Sequence, residues 1–293
     1  MGRIDEALRR ANLDAVQGTG AEASAPVTSP WRVEQDEERA AVGVPAGLAV
    51  PEEGGRPVQW GGFDPEAVER LVASKTAAPL LVEQFRGLAA TLLRAQGERP
   101  LKSLLVTSPS PGDGKSHVAV NLALTLSDSY RRRVLLIDAD LRRPTLHQVF
   151  RVPNAKGLGE ALQAKADEKV AAVQISETLT LLPAGRPDVN PLSGLSSGRM
   201  KRIVADGAAA FDWVIVDSPP VGVLADAHLV SETVDAAILV VRAGVTRYAD
   251  LEAAAGTLGS DRILGVVLNA VDPLEIRGEA YYSHYYGRTS KGR

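Results

Sequence analysis

The 293 residues predict an α/β fold: a doubly wound, mainly parallel sheet with flanking helices. Three observations carry that expectation. Short apolar runs recur between residues 101 and 268, and stretches of helical spacing separate them. Strands that alternate with helices pair in parallel, because each helix carries the chain back across the sheet. Several runs also end in acids or in Gly/Pro turns, which gathers polar groups at the carboxyl edge, where such sheets bind ligands.

The elements follow in order. Residues 1–16 read as a short helix, with Ile4, Ala7, Leu8, Ala11 and Ala15 on one face. An isolated helix of that length is marginal in water, so it is expected to dock on a partner, fold back on the core or remain solvated. Residues 17–75 hold six prolines, eight glycines, ten acids and five bases, the composition of a disordered linker in which Trp31 and Trp60 stand alone. The folded domain is expected over residues 76–273. It opens with a helix from Pro79 to about Arg94, carrying Leu81, Phe85, Leu88 and Leu92 at helical spacing. Residues 101–107 form the first strand, and a Gly-rich turn leads from it into a helix that carries Val118, Leu122 and Leu126. Residues 133–137 form the next strand and end in Asp138-Ala-Asp140-Leu-Arg142. A short helix begins at Gly157, a strand covers residues 179–182, and Asn190-Pro191 leads into a helix around Met200. Residues 211–216 form a strand closed by Asp217-Ser-Pro-Pro220, and strands at 236–241 and 263–268 flank a helix at 248–258. Residues 274–293 form a flexible polar tail that holds four of the six tyrosines, Tyr281, Tyr282, Tyr285 and Tyr286.

Composition removes several chemistries. A net charge of −3 favours neither nucleic acid nor a membrane surface. The chain has no cysteine, which excludes thiol catalysis, disulfides and cysteine-bound zinc and suits a reducing compartment. His117, His147, His228 and His284 show no metal-ligand spacing. No apolar run approaches the roughly 20 residues of a membrane span, and no signal-like apolar region opens the chain, so a cytoplasmic protein is expected.

The chemistry gathers at the first turn, Ser108-Pro-Ser-Pro-Gly112-Asp113-Gly114-Lys115-Ser116-His117. A strand, a Gly-rich turn and a helix in that order aim backbone N–H groups and a helix N-terminus at one point, which makes a phosphate cradle. Residues 112–117 would hold the phosphates, with Lys115 on the β- and γ-phosphates and the Ser116 hydroxyl on Mg²⁺. The strict spacing asks for glycine at 109, where this chain has Pro109. The plainer alternative is a Gly/Pro turn carrying a solvated lysine. Asp138 and Asp140, two residues apart past a strand, would face the cradle; otherwise they are solvated loop acids. Asp217 stands where phosphate-loop enzymes place the aspartate that organises Mg²⁺.

Taken with the tyrosine cluster, Pro111-Gly-Asp-Gly-Lys-Ser116, Ile137-Asp-Ala-Asp-Leu-Arg142 and Ile215-Val-Asp-Ser-Pro219 resemble the bacterial tyrosine autokinases of capsule and exopolysaccharide loci. The resemblance covers about residues 79–286 and implies a P-loop scaffold of the MinD/ParA kind. It implies ATP and Mg²⁺ as cofactors. Lys115 and Ser116 match the phosphate lysine and magnesium hydroxyl. Of Asp138 and Asp140, one would help organise Mg²⁺ and one would take the proton from the incoming tyrosine. Asp217 matches the third acid of the set. Asn269 sits where related enzymes contact adenine. Tyr281, Tyr282, Tyr285 and Tyr286 match tyrosines phosphorylated by a neighbouring copy. The family's ring interface uses Glu-x-x-Arg-x-x-Arg; here Glu83 and Arg86 stand, but Ala89 replaces the last arginine, and Arg94 lies about a turn beyond.

The resemblance further implies a separate transmembrane activator, a protein-tyrosine phosphatase, other copies of the chain as partners, and a place at the inner face of the membrane. Two other readings share the scaffold. A MinD/ParA-type positioning ATPase would carry a signature lysine where this chain has Ser110, and would lack the tyrosine cluster. A degenerate nucleotide-binding regulatory subunit would fit Pro109 and Ala89 but not the intact Lys115, Asp138, Asp140 and Asp217.

Overall fold

The computed structural model describes residues 48–49, 52–53, 56–57, 60–164 and 170–272. The helix expected over 1–16, Trp31 and the tyrosines at 281, 282, 285 and 286 lie outside the described residues.

A seven-stranded sheet organises the domain. Its strands in chain order are β1 (Ser103–Thr107), β2 (Val134–Asp138), β3 (Val173–Gln174), β4 (Leu179–Leu182), β5 (Trp213–Asp217), β6 (Ala236–Arg242) and β7 (Ile263–Asn269). Across the sheet the order is β7-β6-β1-β5-β2-β4-β3. All pairings are parallel except the edge pair β3–β4. The central strands β1, β2 and β5 are buried along their whole length, which explains their continuous apolar sequences. The register sets Asp138 of β2 beside Asp217 of β5, so two acids end adjacent central strands at the same edge.

Four longer helices flank the sheet: α1 (Pro79–Glu98), α2 (Lys115–Asp128), α3 (Gly198–Ala210) and α4 (Tyr248–Leu258). Proline stands at the first turn of α1, where its missing N–H costs nothing, and Phe85, Ala89 and Leu92 form the buried stripe. Helix α2 is buried without interruption from Val118 to Ser127. A helix covered on all sides needs a second layer outside it. Part of that layer comes from α1, which packs on α2.

The rest comes from a segment expected to be linker. Residues 60–75 pack on the domain instead. Trp60 Nε1 donates to the Phe150 carbonyl at 3.0 Å, and its ring meets Phe63 edge-on with centroids 4.9 Å apart. Phe63 in turn touches the fully buried Phe150. Asp64 caps a one-turn helix, Pro65–Val68. Leu71 is buried, and the Val72 amide donates to Asn121 Oδ1 on α2 at 2.7 Å. Residues 60–75, expected to be linker, are thus packed on the domain. Proline and glycine supply the bends of this strap, and a few separated anchors hold it, a pattern without periodicity. Further back, Leu48–Ala49 pair in parallel with Val170–Ala171, again inside the expected linker.

Candidate functional site

The turn between β1 and α2 is braced by its own residues. Gly112 and Gly114 carry φ of 85° and 95°, a left-handed backbone in which glycine is at ease. Position 109 needs no such freedom. Pro109 enters the loop against Gly222, where an added Cβ would run into the Pro109 carbonyl. Asp113 is buried and works as the loop's internal tie: Oδ2 accepts from the Ser110 amide at 2.9 Å, and Oδ1 from the Thr246 hydroxyl at 2.7 Å. Asn269, at the end of β7, donates from Nδ2 to the Asp113 carbonyl at 2.9 Å. The loop is thus fastened to the turn after β6 and to the end of β7.

Lys115 opens α2 beneath the carboxyl edge. Its Nζ lies 3.3 Å from Asp140 Oδ2 and 3.3 Å from Ser116 Oγ. Burial alone would lower the ammonium's pKa, but Asp217, Asp140 and Asp138 outweigh it and hold the pKa above the ordinary value. The lysine stays charged throughout the neutral range.

The three carboxylates differ in their surroundings. Asp138 is fully buried and accepts three backbone N–H groups: Asp140 on Oδ1, and Thr145 and Leu146 on Oδ2. It shapes the loop after β2, yet desolvation and the neighbouring Asp217 push its pKa up to about 8. Asp140 keeps slight exposure, accepts the Arg143 amide on Oδ1 and turns Oδ2 to Lys115. Asp217 is fully buried, and burial pushes it up to about 6 against the opposing pull of Lys115 and Ser116. Its two carboxylate oxygens make no well-formed hydrogen bond, although the Ser116 hydroxyl and the Ser218 amide lie near enough to hold its pKa down. Two buried acceptors facing an ammonium and a hydroxyl are a strong request for a cation. Among the described residues, no group of three or more His, Cys, Asp or Glu could hold a metal unaided. Mg²⁺ keeps several waters and binds through one or two carboxylates plus phosphate oxygens.

Beside the loop lies a cleft of about 840 Å³. Gly112, Gly114, His117 and Asn269 form its polar end, and Phe85 and Leu88 of α1 belong to its apolar wall. Asn269 lines this cleft, as an adenine contact would require, and gives one of its two amide N–H groups to the loop. Burial and the nearby Arg70 lower the His117 pKa, so its ring is neutral in the cleft at pH 7.

The structure brings together Lys115, Ser116, Asp138, Asp140 and Asp217, with residues 112–114, His117 and Asn269 around them. It sets Glu83 and Arg86 apart as an ion pair of 2.7 Å on the exposed side of α1. Ala89 is fully buried, so position 89 faces the core and not that surface. Sequence reasoning missed Thr246, which locks Asp113, and Asp226, which holds Arg142 through two hydrogen bonds of 2.7 and 3.2 Å. Both partners lie far off in sequence, so no local pattern marked them.

The family model described as cellulose biosynthesis protein BcsQ matches residues 101–270. The tyrosine-protein kinase YwqD of Bacillus subtilis is 35% identical over 202 residues, 68% of this chain and 85% of that one. The solved kinase domain of the Escherichia coli tyrosine kinase ETK superposes with a TM-score of 0.61 at 29% identity, over 67% of this chain and 78% of that one. The cell-division ATPase MinD of Pyrococcus furiosus matches with a TM-score of 0.50 at 24% identity, over 62% of this chain and 78% of that one, a likeness of fold. By the family model and the kinase relatives together, the chain belongs to the BcsQ-type family and to the bacterial tyrosine-protein kinases.

Proposed function

We propose that this protein binds Mg·ATP at the loop 108–117 and transfers the γ-phosphoryl group to Tyr281, Tyr282, Tyr285 and Tyr286 in the tail of another copy. The observation that carries this reading is Asp217, whose two buried oxygens make no well-formed hydrogen bond and face Lys115 and Ser116. Mg²⁺, held by Asp217, Ser116 and Asp140, would supply charge neutralisation to the phosphates. The chain's own groups do the rest. Backbone N–H groups of residues 112–116 orient the phosphates, and Lys115 holds a fixed positive charge where charge develops in transfer. The tyrosine hydroxyl, with an ordinary pKa of ~10, passes its proton to the Asp138/Asp140 pair. Val271, next to the last described residue before the tail, lines the cleft.

Regulation of capsule or exopolysaccharide export, a separate transmembrane activator, a protein-tyrosine phosphatase and a place at the inner face of the membrane belong to the same proposal. No helix among the described residues is long and apolar enough to cross a membrane. Glu83 and Arg86 would contribute to contact between copies. Ser110 speaks against the positioning-ATPase reading, whose signature lysine belongs at that position.

The test is mass spectrometry after incubation with Mg·ATP. Phosphate is expected on residues 281–286 of the wild type and on none of them in Lys115→Met. Phosphate that survives the substitution, or that never reaches those residues, ends the proposal.

A further inference from the structure

Asp140 sits on a loop, residues 139–145, and a loop holds a catalytic group only as well as it is itself held. Some of its fastenings are local. Asp138 collects the amides of Asp140, Thr145 and Leu146, and Asp140 accepts from Arg143. Asp138 ends β2, so its bonds anchor the loop to the sheet as well as shape it. Besides these and the ion pair of Asp140 with Lys115, three further ties reach beyond the loop. The Ala139 amide donates to the Asp217 carbonyl at 2.7 Å, at the loop's root. The Leu141 carbonyl accepts from Asp188 at 2.8 Å. The third is Arg142. Its Nε and Nη2 donate to the two oxygens of Asp226 at 2.7 and 3.2 Å, and its Nη1 donates to the Val189 carbonyl at 2.7 Å.

Asp226 is almost completely buried, at 1% exposure, while Arg142 remains part-exposed. A bidentate carboxylate–guanidinium pair fixes both position and orientation. Asp226 opens the short helix Asp226–Ser231, which follows the Pro219-Pro220 turn after β5. The pair therefore clamps the loop that carries Asp140 to the segment leaving the strand that carries Asp217. Arg142 is two residues from Asp140, so freedom at Arg142 is freedom at Asp140.

We infer that Asp226 is a positioning residue for phosphoryl transfer, acting through Arg142 to hold Asp140 against Lys115. The inference rests on the kinase reading above. It predicts a larger loss in the chemical step than in nucleotide binding, because the phosphate loop 108–117 makes no hydrogen bond to Asp226 or Arg142 among the described residues.

The test measures autophosphorylation rates of the full chain against ATP concentration for the wild type, Asp226→Asn, Arg142→Ala and the double variant. Asparagine keeps the shape of Asp226 and removes the charge. For Asp226→Asn we expect kcat to fall by about tenfold or more, since a misplacement of about 1 Å can cost as much as a hundredfold. KM for ATP should stay within about twofold. The double variant should be no slower than Arg142→Ala alone, as two residues acting through one contact require. A wild-type kcat in Asp226→Asn overturns the inference. So does a loss confined to KM, or losses that multiply in the double variant. If Asp226→Asn does not fold, shown by its circular dichroism, the kcat-against-KM split of Arg142→Ala decides alone. A wild type that never phosphorylates its tail refutes the kinase reading instead, so the two failures are distinct.

Discussion

Asp217 shows how a site trades stability for readiness. Its carboxylate is buried without a well-formed hydrogen bond, and burial lifts its pKa from the ordinary value to about 6. A group that binds its proton more tightly when folded favours the folded state at low pH. That advantage is complete below the unfolded pKa near 4 and is lost as pH rises through about 6. Without nucleotide or Mg²⁺, Asp217→Asn should therefore melt higher than the wild type at pH 8, by about 2 kcal/mol of stability, and close to it at pH 4. Thermal melts at the two pH values check this. A variant that is less stable at pH 8 would mean that Asp217 has a partner in the free protein. The residues of the cradle and the three acids were legible in the sequence because each stands at the end of a strand or the start of a helix, where spacing alone locates it. Asp226 was not, because its partner lies 84 residues away and only the folded sheet brings them together.

The strands were legible for a related reason: β1, β2 and β5 are buried along their whole length, so burial writes them as unbroken apolar runs. The contacts between loops leave no such mark. The tight approach of the turn after β5 to the phosphate loop depends on Gly222, which looks like any other loop glycine. A Cβ there would lie too close to the Pro109 carbonyl, a backbone atom that cannot rotate away. Gly222→Ala should therefore shift the entry to the loop and weaken nucleotide binding on the order of tenfold, since cradle N–H groups lose value when misaimed. Gly256, on α4, has nothing within 4 Å of an added Cβ, and Gly256→Ala should leave binding unchanged. Titration of both variants with a fluorescent ADP analogue separates a local clash from a general effect of losing a glycine. Equal affinities for the two would show that the loop's position does not depend on Gly222.

The boundary of the domain is where composition misled most. Residues 60–75 belong by composition to a Pro/Gly linker, yet they cover α2 and Phe150. Amino-acid counts average over a segment, whereas docking here needs only Trp60, Phe63 and Leu71 at irregular intervals. The strap also satisfies Asn121, a fully buried side chain on α2, through the Val72 amide and the Arg70 carbonyl. Removing it would expose Phe150 and leave Asn121 with contacts only to His117. Two shortened chains decide between the readings. If the domain began at residue 76, a chain starting at residue 59 and one starting at residue 78 would melt alike. The packing predicts otherwise. Burial of one leucine, one phenylalanine and one tryptophan contributes on the order of 5 kcal/mol, allowing for the part-exposure of the two aromatics. For a domain of this size that corresponds to a melting temperature roughly 10 °C lower for the shorter chain. Phe150 follows the one-turn helix Leu146–Val149, whose first amides Asp138 holds. The strap thus reaches the loop of Asp138 and Asp140 from behind, and the shorter chain should lose tail phosphorylation at temperatures well below its melt. Circular dichroism melts with a kinase assay on added full-length chain carrying Lys115→Met measure both effects. Coincident melts of the two shortened chains would return residues 60–75 to the linker.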